Sequence, residues 1–159
     1  MDQDAPPDFE IEHGHDAYTT EELLEHAQAN AQLAIMATAA FFDEQGVSLD
    51  AWTRAIGRVF ARGWGEPRPW DAGEFLDAIL TNIRAIGGEV VSVVLQSEHA
   101  EAVTVGFPDP DLCAQFGVDI ALAARYNDAI APIAAERGLS WVWTLEDDQT
   151  RYLVGRASA

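Results

Sequence analysis

Cys113 is the chain's one cysteine, and the Pro110-Asp111-Leu112-Cys113 run places it near the first turn of a helix. Unpaired backbone N–H groups and the helix dipole favour a thiolate there, the form a ring-opening hydrolase needs as nucleophile. The competing reading is that it packs as a small apolar side chain beside Leu112 and Phe116. Asp119 and Tyr126 follow on the same helical stretch, seven residues apart. On a continuous helix they share a face, where a carboxylate and a phenol can serve as base and hydrogen-bond donor. Alternatively, Asp119 caps a helix that restarts after Gly117, and Asp128 is a solvated neighbour. Candidate catalytic residues are therefore Cys113, Asp119 and Tyr126.

Trp64 and Trp70 flank a proline-containing loop, and Trp141 and Trp143 share one face of a strand. Aromatic side chains around a groove suit a flat or apolar ligand, so these four are the candidate ligand-binding residues, with core packing as the alternative. His13 and His15 flank Gly14 beside Asp16 and offer a weaker option, a divalent-metal site; no other cofactor is expected. His26 and His99 are expected to be exposed. No H-E-x-x-H, G-x-S-x-G, P-loop or G-x-G-x-x-G pattern occurs, which removes the usual zinc-protease, α/β-hydrolase and nucleotide-binding fingerprints.

The elements that must position these residues follow from periodicity. Residues 1–18 read as an acidic flexible tail, and 19–159 as a single α+β domain. Thr19 and Glu22 have capping-box spacing, with Tyr18 and Leu23 placed as a hydrophobic staple. Leu23, Leu24, Ala27, Ala31, Ala34, Ile35, Thr38, Phe41 and Phe42 then form a helical stripe whose alanine-rich middle suits a helix–helix seam. A second helix runs from about Ser48 to Trp64, with Trp52, Ile56, Val59, Phe60 and Gly63 on one side. Arg54, Arg58 and Arg62 form a row on it, read as a solvated face with anion binding as the alternative. Pro67 and Pro69 force a loop. A third helix starts at Asp71 and carries Phe75, Leu76, Ile79, Leu80, Ile83 and Ile86 up to Gly87-Gly88.

The period then changes to two. Val90–Gln96 and Ala102–Phe107 read as a hairpin about residues 97–101. A helical segment follows from Asp109 or Asp111 to about Arg137, with Asn127 in its apolar stripe and Gly117 and Pro132 as points of break or kink. Trp141–Leu145 and Tyr152–Val154 form a second hairpin. The expected fold is α+β: three N-terminal helices, then ββαββ, the strands making a four-stranded antiparallel sheet with helices packed on one face.

This order, with Gly88-Glu89-Val90-Val91 starting one hairpin and Trp143-Thr144-Leu145 with Arg151-Tyr152-Leu153-Val154 closing the other, resembles the vinyl-4-reductase domain. Within that group it is most similar to the L-2-amino-thiazoline-4-carboxylate hydrolase-like proteins. The resemblance implies a small-molecule-binding fold, often homodimeric, enzymatic in some relatives and a sensor or tethering scaffold in others. The functional expectation is a small-molecule-binding domain, in the enzymatic case a hydrolase of a small amide-like or heterocyclic C–N bond. The alternative is a non-catalytic adaptor subunit that dimerises or docks on a protein partner through its alanine-rich first helix.

Composition bounds these readings. The chain has 159 residues, 48% of them apolar, 27 acidic against 9 basic, and a formal net charge of −18. Such a balance argues against nucleic acid and anionic membrane as partners, since both require clustered Lys and Arg. No signal-type start or membrane-length apolar run is present, so a cytoplasmic location is the expectation. Every basic residue is arginine, and the first is Arg54. Two readings fit: a host with high internal salt, or a GC-rich genome that writes Arg for Lys. The Debye length falls from about 10 Å at 0.1 M salt to about 3 Å at 1 M. If the charge excess is an adaptation to salt, the melting temperature rises across that range; a flat response contradicts it.

Overall fold

The computed structural model describes residues 18–157; the expected tail, with His13 and His15, lies outside these apart from Tyr18. The elements are α1 (Thr20–Glu44), α2 (Leu49–Gly63), α3 (Ala72–Ala85), β1 (Glu89–Leu95), β2 (His99–Val105), α4 (Pro110–Phe116), α5 (Ile120–Ala124), a 3-10 turn (Arg125–Ala129), α6 (Ile130–Ala135), β3 (Leu139–Glu146) and β4 (Gln149–Arg156). The strands form one antiparallel sheet in the order β1-β2-β4-β3. The fold is thus α+β, with three helices ahead of the first hairpin, as the periodicities require.

The helices cover one sheet face. α3 lies over β1, β2 and β4, and α6 over β3. Ala100, Ala102, Thr104, Thr150, Tyr152 and Val154 point from the middle strands into this layer and are buried. Their small size on β2 lets α3 approach with Phe75, Leu76, Ile79, Leu80 and Ile83, all buried. That is the apolar stripe read for the third helix, and Asp71 caps it by accepting from the N–H groups of Gly73 and Glu74. α2 packs outside, on the 3-10 turn and α6, while α1 crosses α5.

α1 starts as expected, with both halves of the Thr19–Glu22 capping box formed. Its buried face is only in part the one anticipated: Ile35 and Phe42 of the expected stripe pack on the core. Gln32, Met36 and Ala39 turn inward, and Leu23, Leu24 and Phe41 are exposed. The reason is polar: Gln32 is the junction of three elements. Its Nε2 donates to the carbonyls of Ile86 and Gly106 at 2.9 and 2.8 Å, and its Oε1 accepts from Asp109 N–H at 2.9 Å. Tyr18 sits edge-on to His26.

Other boundaries move as well: β3 and β4 extend beyond the expected Trp141–Leu145 and Tyr152–Val154 to a tighter turn at residues 147–148. β2 begins three residues before the expected Ala102, because the chain already turns back at Gln96, whose N–H donates to His99 O. The single helical segment after Pro108 is broken. Gly117 takes a left-handed conformation that ends α4, and Asp119 restarts the helix by accepting from Ala121 N–H. Pro132 lacks the N–H that would bond back to residue 128, and the preceding residues tighten into the 3-10 turn.

Gly57 shows how closely α2 lies on that turn. A Cβ at this position would stand 2.4 Å from Ala129 O and 2.8 Å from Pro132 Cγ. In an open helix Gly→Ala stabilises by about 1 kcal/mol. Here the sign reverses: Gly57→Ala is expected to lower stability by about 1–3 kcal/mol, the usual cost of overpacking. Denaturant unfolding checks this, and an unchanged or raised midpoint contradicts the close approach.

Candidate functional site

Between α2, α3 and the 3-10/α6 segment lies a cavity of about 460 Å³, within the range of about 300–1,000 Å³ usual for small-molecule sites. α2 and its C-cap contribute Val59, Phe60, Gly63 and Trp64. α3 and its end contribute Ile79, Asn82, Ile83, Ala85 and Ile86, and the third wall is Tyr126, Asn127, Ile130 and Ile133. Val59 and Phe60 are 60% and 40% exposed, so they stand on the open side. No lining side chain is a carboxylate, imidazole, thiol, ammonium or guanidinium; hydrogen-bonding capacity rests with Trp64, Asn82, Tyr126 and Asn127. Burial pushes the Tyr126 phenol up from its ordinary value, so it stays protonated at neutral pH.

Asn127 ties the 3-10 turn to the sheet. It is 1% exposed. Its main-chain carbonyl accepts from Trp141 Nε1–H at 3.0 Å, and its Oδ1 accepts from the Tyr152 hydroxyl at 3.3 Å. Its Nδ2 is buried with no partner among the described residues. Next to it, Asp128 Oδ1 accepts from Trp143 Nε1–H at 2.8 Å, and Asp128 Oδ2 from Arg125 Nε–H at 2.6 Å. Arg125 also pairs with Asp50 at the start of α2. Burial pushes the Tyr152 phenol up to about 12, so it remains a donor at any ordinary pH.

The four tryptophans thus divide by role. Trp64 stands in the cavity wall. Trp141 stacks on Tyr152 with ring centroids 5.1 Å apart, and with Trp143 it holds the 3-10 turn from the sheet side. Trp70 docks the proline loop on Trp64 and Phe75, beneath the fully buried guanidinium of Arg137. That guanidinium donates to Trp64 O at the end of α2 and to Ile133 O in α6, joining two cavity walls. Cations are favourable at such carbonyl-rich helix ends.

Of the candidate catalytic residues, Tyr126 lines the cavity, whereas Cys113 and Asp119 are not among its lining residues. Cys113 is buried in a separate cluster with Met36 and Ala123, its Sγ 3.9 Å from Met36 Sδ. Burial pushes its thiol above the ordinary value, and the carboxylates of Asp109 and Asp119 push it further the same way. This opposes the thiolate that a helix N-terminus alone would favour. Asp119 is the N-cap of α5, which gives way at Arg125 to the 3-10 turn that carries Tyr126, so the two do not share one continuous α-helical face. Arg54, Arg58 and Arg62 are exposed, as are His26 and His99. Among the described residues no group of three or more His, Cys, Asp or Glu side chains is placed to hold a metal, and no helix is long and apolar enough to cross a membrane.

Compared with protein-family models and with curated protein sequences, the chain matches none.

Iodoacetamide should alkylate Cys113 in the native protein at pH 7.5 at least about a hundredfold more slowly than in the denatured chain, since the buried thiol is both shielded and protonated. Native labelling as fast as denatured labelling contradicts this. Because folding raises this pKa, the thiol has no effect on stability in acid. It disfavours the fold as pH rises past the ordinary value of 9.0, where the unfolded chain ionises first.

Proposed function

We propose that this chain is a small-molecule-binding domain whose site is the cavity between α2, α3 and the 3-10/α6 segment, in keeping with the vinyl-4-reductase-type resemblance. The observation that carries the reading is a largely apolar cavity of ligand size, about 460 Å³, walled by the aromatic rings of Phe60, Trp64 and Tyr126 and by isoleucines. The lining offers no nucleophile or acid–base pair, so binding is the activity it supports. Hydrolysis through Cys113 would have to reach a thiol outside this cavity.

A second reading, a protein-docking adaptor working through α1, draws on Leu23, Leu24 and Phe41, each more than half exposed. The two readings separate experimentally. Gly63 lines the cavity, and a Cβ there would meet nothing within 4 Å, so Gly63→Phe is the substitution expected to occupy the site. The neutral dye Nile red should bind the unaltered protein saturably with blue-shifted emission. Gly63→Phe should abolish this at an unchanged melting temperature. Equal dye binding by both proteins contradicts the cavity. Leu23→Glu with Leu24→Glu should leave the dye signal intact; loss of a dimer in that variant by sedimentation supports the adaptor reading.

A further inference from the structure

We infer that β1 is the seam of a symmetric homodimer: a second copy of this chain pairs antiparallel along it, and the two four-stranded sheets run on as one. This is independent of the binding reading, because the cavity lies on the opposite flank of α3. The first support is the state of the edge. β1 has a neighbouring strand on one side only, so alternate residues direct main-chain N–H and C=O groups outward, a template for another strand. Val91, Val93, Val94 and Leu95 are each more than 40% exposed. From Val90 to Ser97 there is no charged residue and no proline, the side chains that usually guard an edge. β3, the other edge, instead shows solvent Ser140, Thr144 and Glu146 around Val142.

The second support is register. Ser92–Leu95 pair regularly with β2 beyond the irregularity at Val91. Opposed residues of an antiparallel pair point to one face, so a two-fold axis has to pass through a residue. The axis that keeps clear of Val91 passes through Val94, which then faces its own copy. Val93 and Leu95 of the two copies oppose each other on the helix-covered face. There they pair with Ala102 and Ala100 of β2 yet stand 43% and 45% exposed, and the second copy covers them. The third support is charge. Two copies at −18 repel, so their contact must be uncharged or complementary. One flank of α3 lines the cavity. On the other, Asp77 stands beside Leu95 and Gln96 at the end of β1, and Arg84, two turns on, shares that flank. Both are exposed and neither has an ion-pair partner among the described residues. A two-fold axis normal to the sheet sets the two α3 helices antiparallel, with Asp77 of each toward Arg84 of the other.

Sedimentation equilibrium of the full chain tests this. The unaltered protein should sediment at twice its chain mass of 17.3 kDa. Val94→Lys sets two lysines opposite each other on the axis. It should weaken the dimer by about tenfold or more at an unchanged melting temperature, since like charges directly opposite destabilise a strand pair. Leu23→Glu with Leu24→Glu should leave the dimer intact. Asp77→Arg should weaken association about threefold, the worth of an exposed ion pair, and adding Arg84→Asp should restore it. Should Val94→Lys not fold, this exchange decides. A monomer at tens of micromolar, a Val94→Lys dimer as tight as the unaltered one, or a dimer lost only in the α1 variant overturns the seam. An exchange that restores nothing overturns the two-fold arrangement.

Discussion

The hydrogen bond from the Trp141 indole N–H to the carbonyl of Asn127 is the constraint on which the site depends. The turn it holds is a five-residue 3-10 piece between helices of five and six residues, lengths that have no stability of their own in water. Two indole N–H groups and one phenol, all on the helix-covered face of β3 and β4, anchor it at both main chain and side chain. α2 then lies on the anchored turn at the distance Gly57 permits. Trp64, at the end of α2, and Tyr126, on the turn, therefore take their places in the cavity wall from the same anchor.

A second pair of buried polar side chains fixes the remaining walls. Arg137 joins the end of α2 to α6 while its guanidinium lies over Trp64 and Trp70. Gln32 joins α1 to the end of α3 and to the loop ahead of α4. Gln32 and both Nη atoms of Arg137 meet backbone groups at element ends that would otherwise be orphaned, which is what keeps such side chains inside a core. Arg137 Nε has no partner among the described residues and lies outside the cavity lining.

The apolar framework was legible in the sequence where period and caps agreed. Asp71 with Phe75, Leu76, Ile79, Leu80 and Ile83 defines α3 and its buried face without ambiguity, and alternation defines both hairpins. α1 misleads because its most apolar residues sit near the solvent while a glutamine is buried; three tertiary hydrogen bonds outweigh the hydrophobic pattern there. The break after α4 depends on a left-handed Gly117 that periodicity flags but does not resolve. In the site, Trp64 and Tyr126 stand out as aromatic residues beside breaks in regular structure. Asn127 was visible only as a polar residue inside an apolar stripe, the signal that a buried amide leaves. What spacing does not carry is which hydrogen bonds the sheet spends on a residue and which it leaves open.

The central claim is that the space between α2, α3 and the 3-10/α6 segment binds a small apolar molecule, and the isoleucines that line it report on this directly. In a sample with ¹³C-labelled isoleucine methyl groups, the resonances of Ile79, Ile83, Ile130 and Ile133 are followed while Nile red is added. The account predicts saturable shifts at these methyls while those of Ile35 and Ile120, outside the lining, hold their positions. Lining methyls that stay in place while the dye saturates the protein would contradict it.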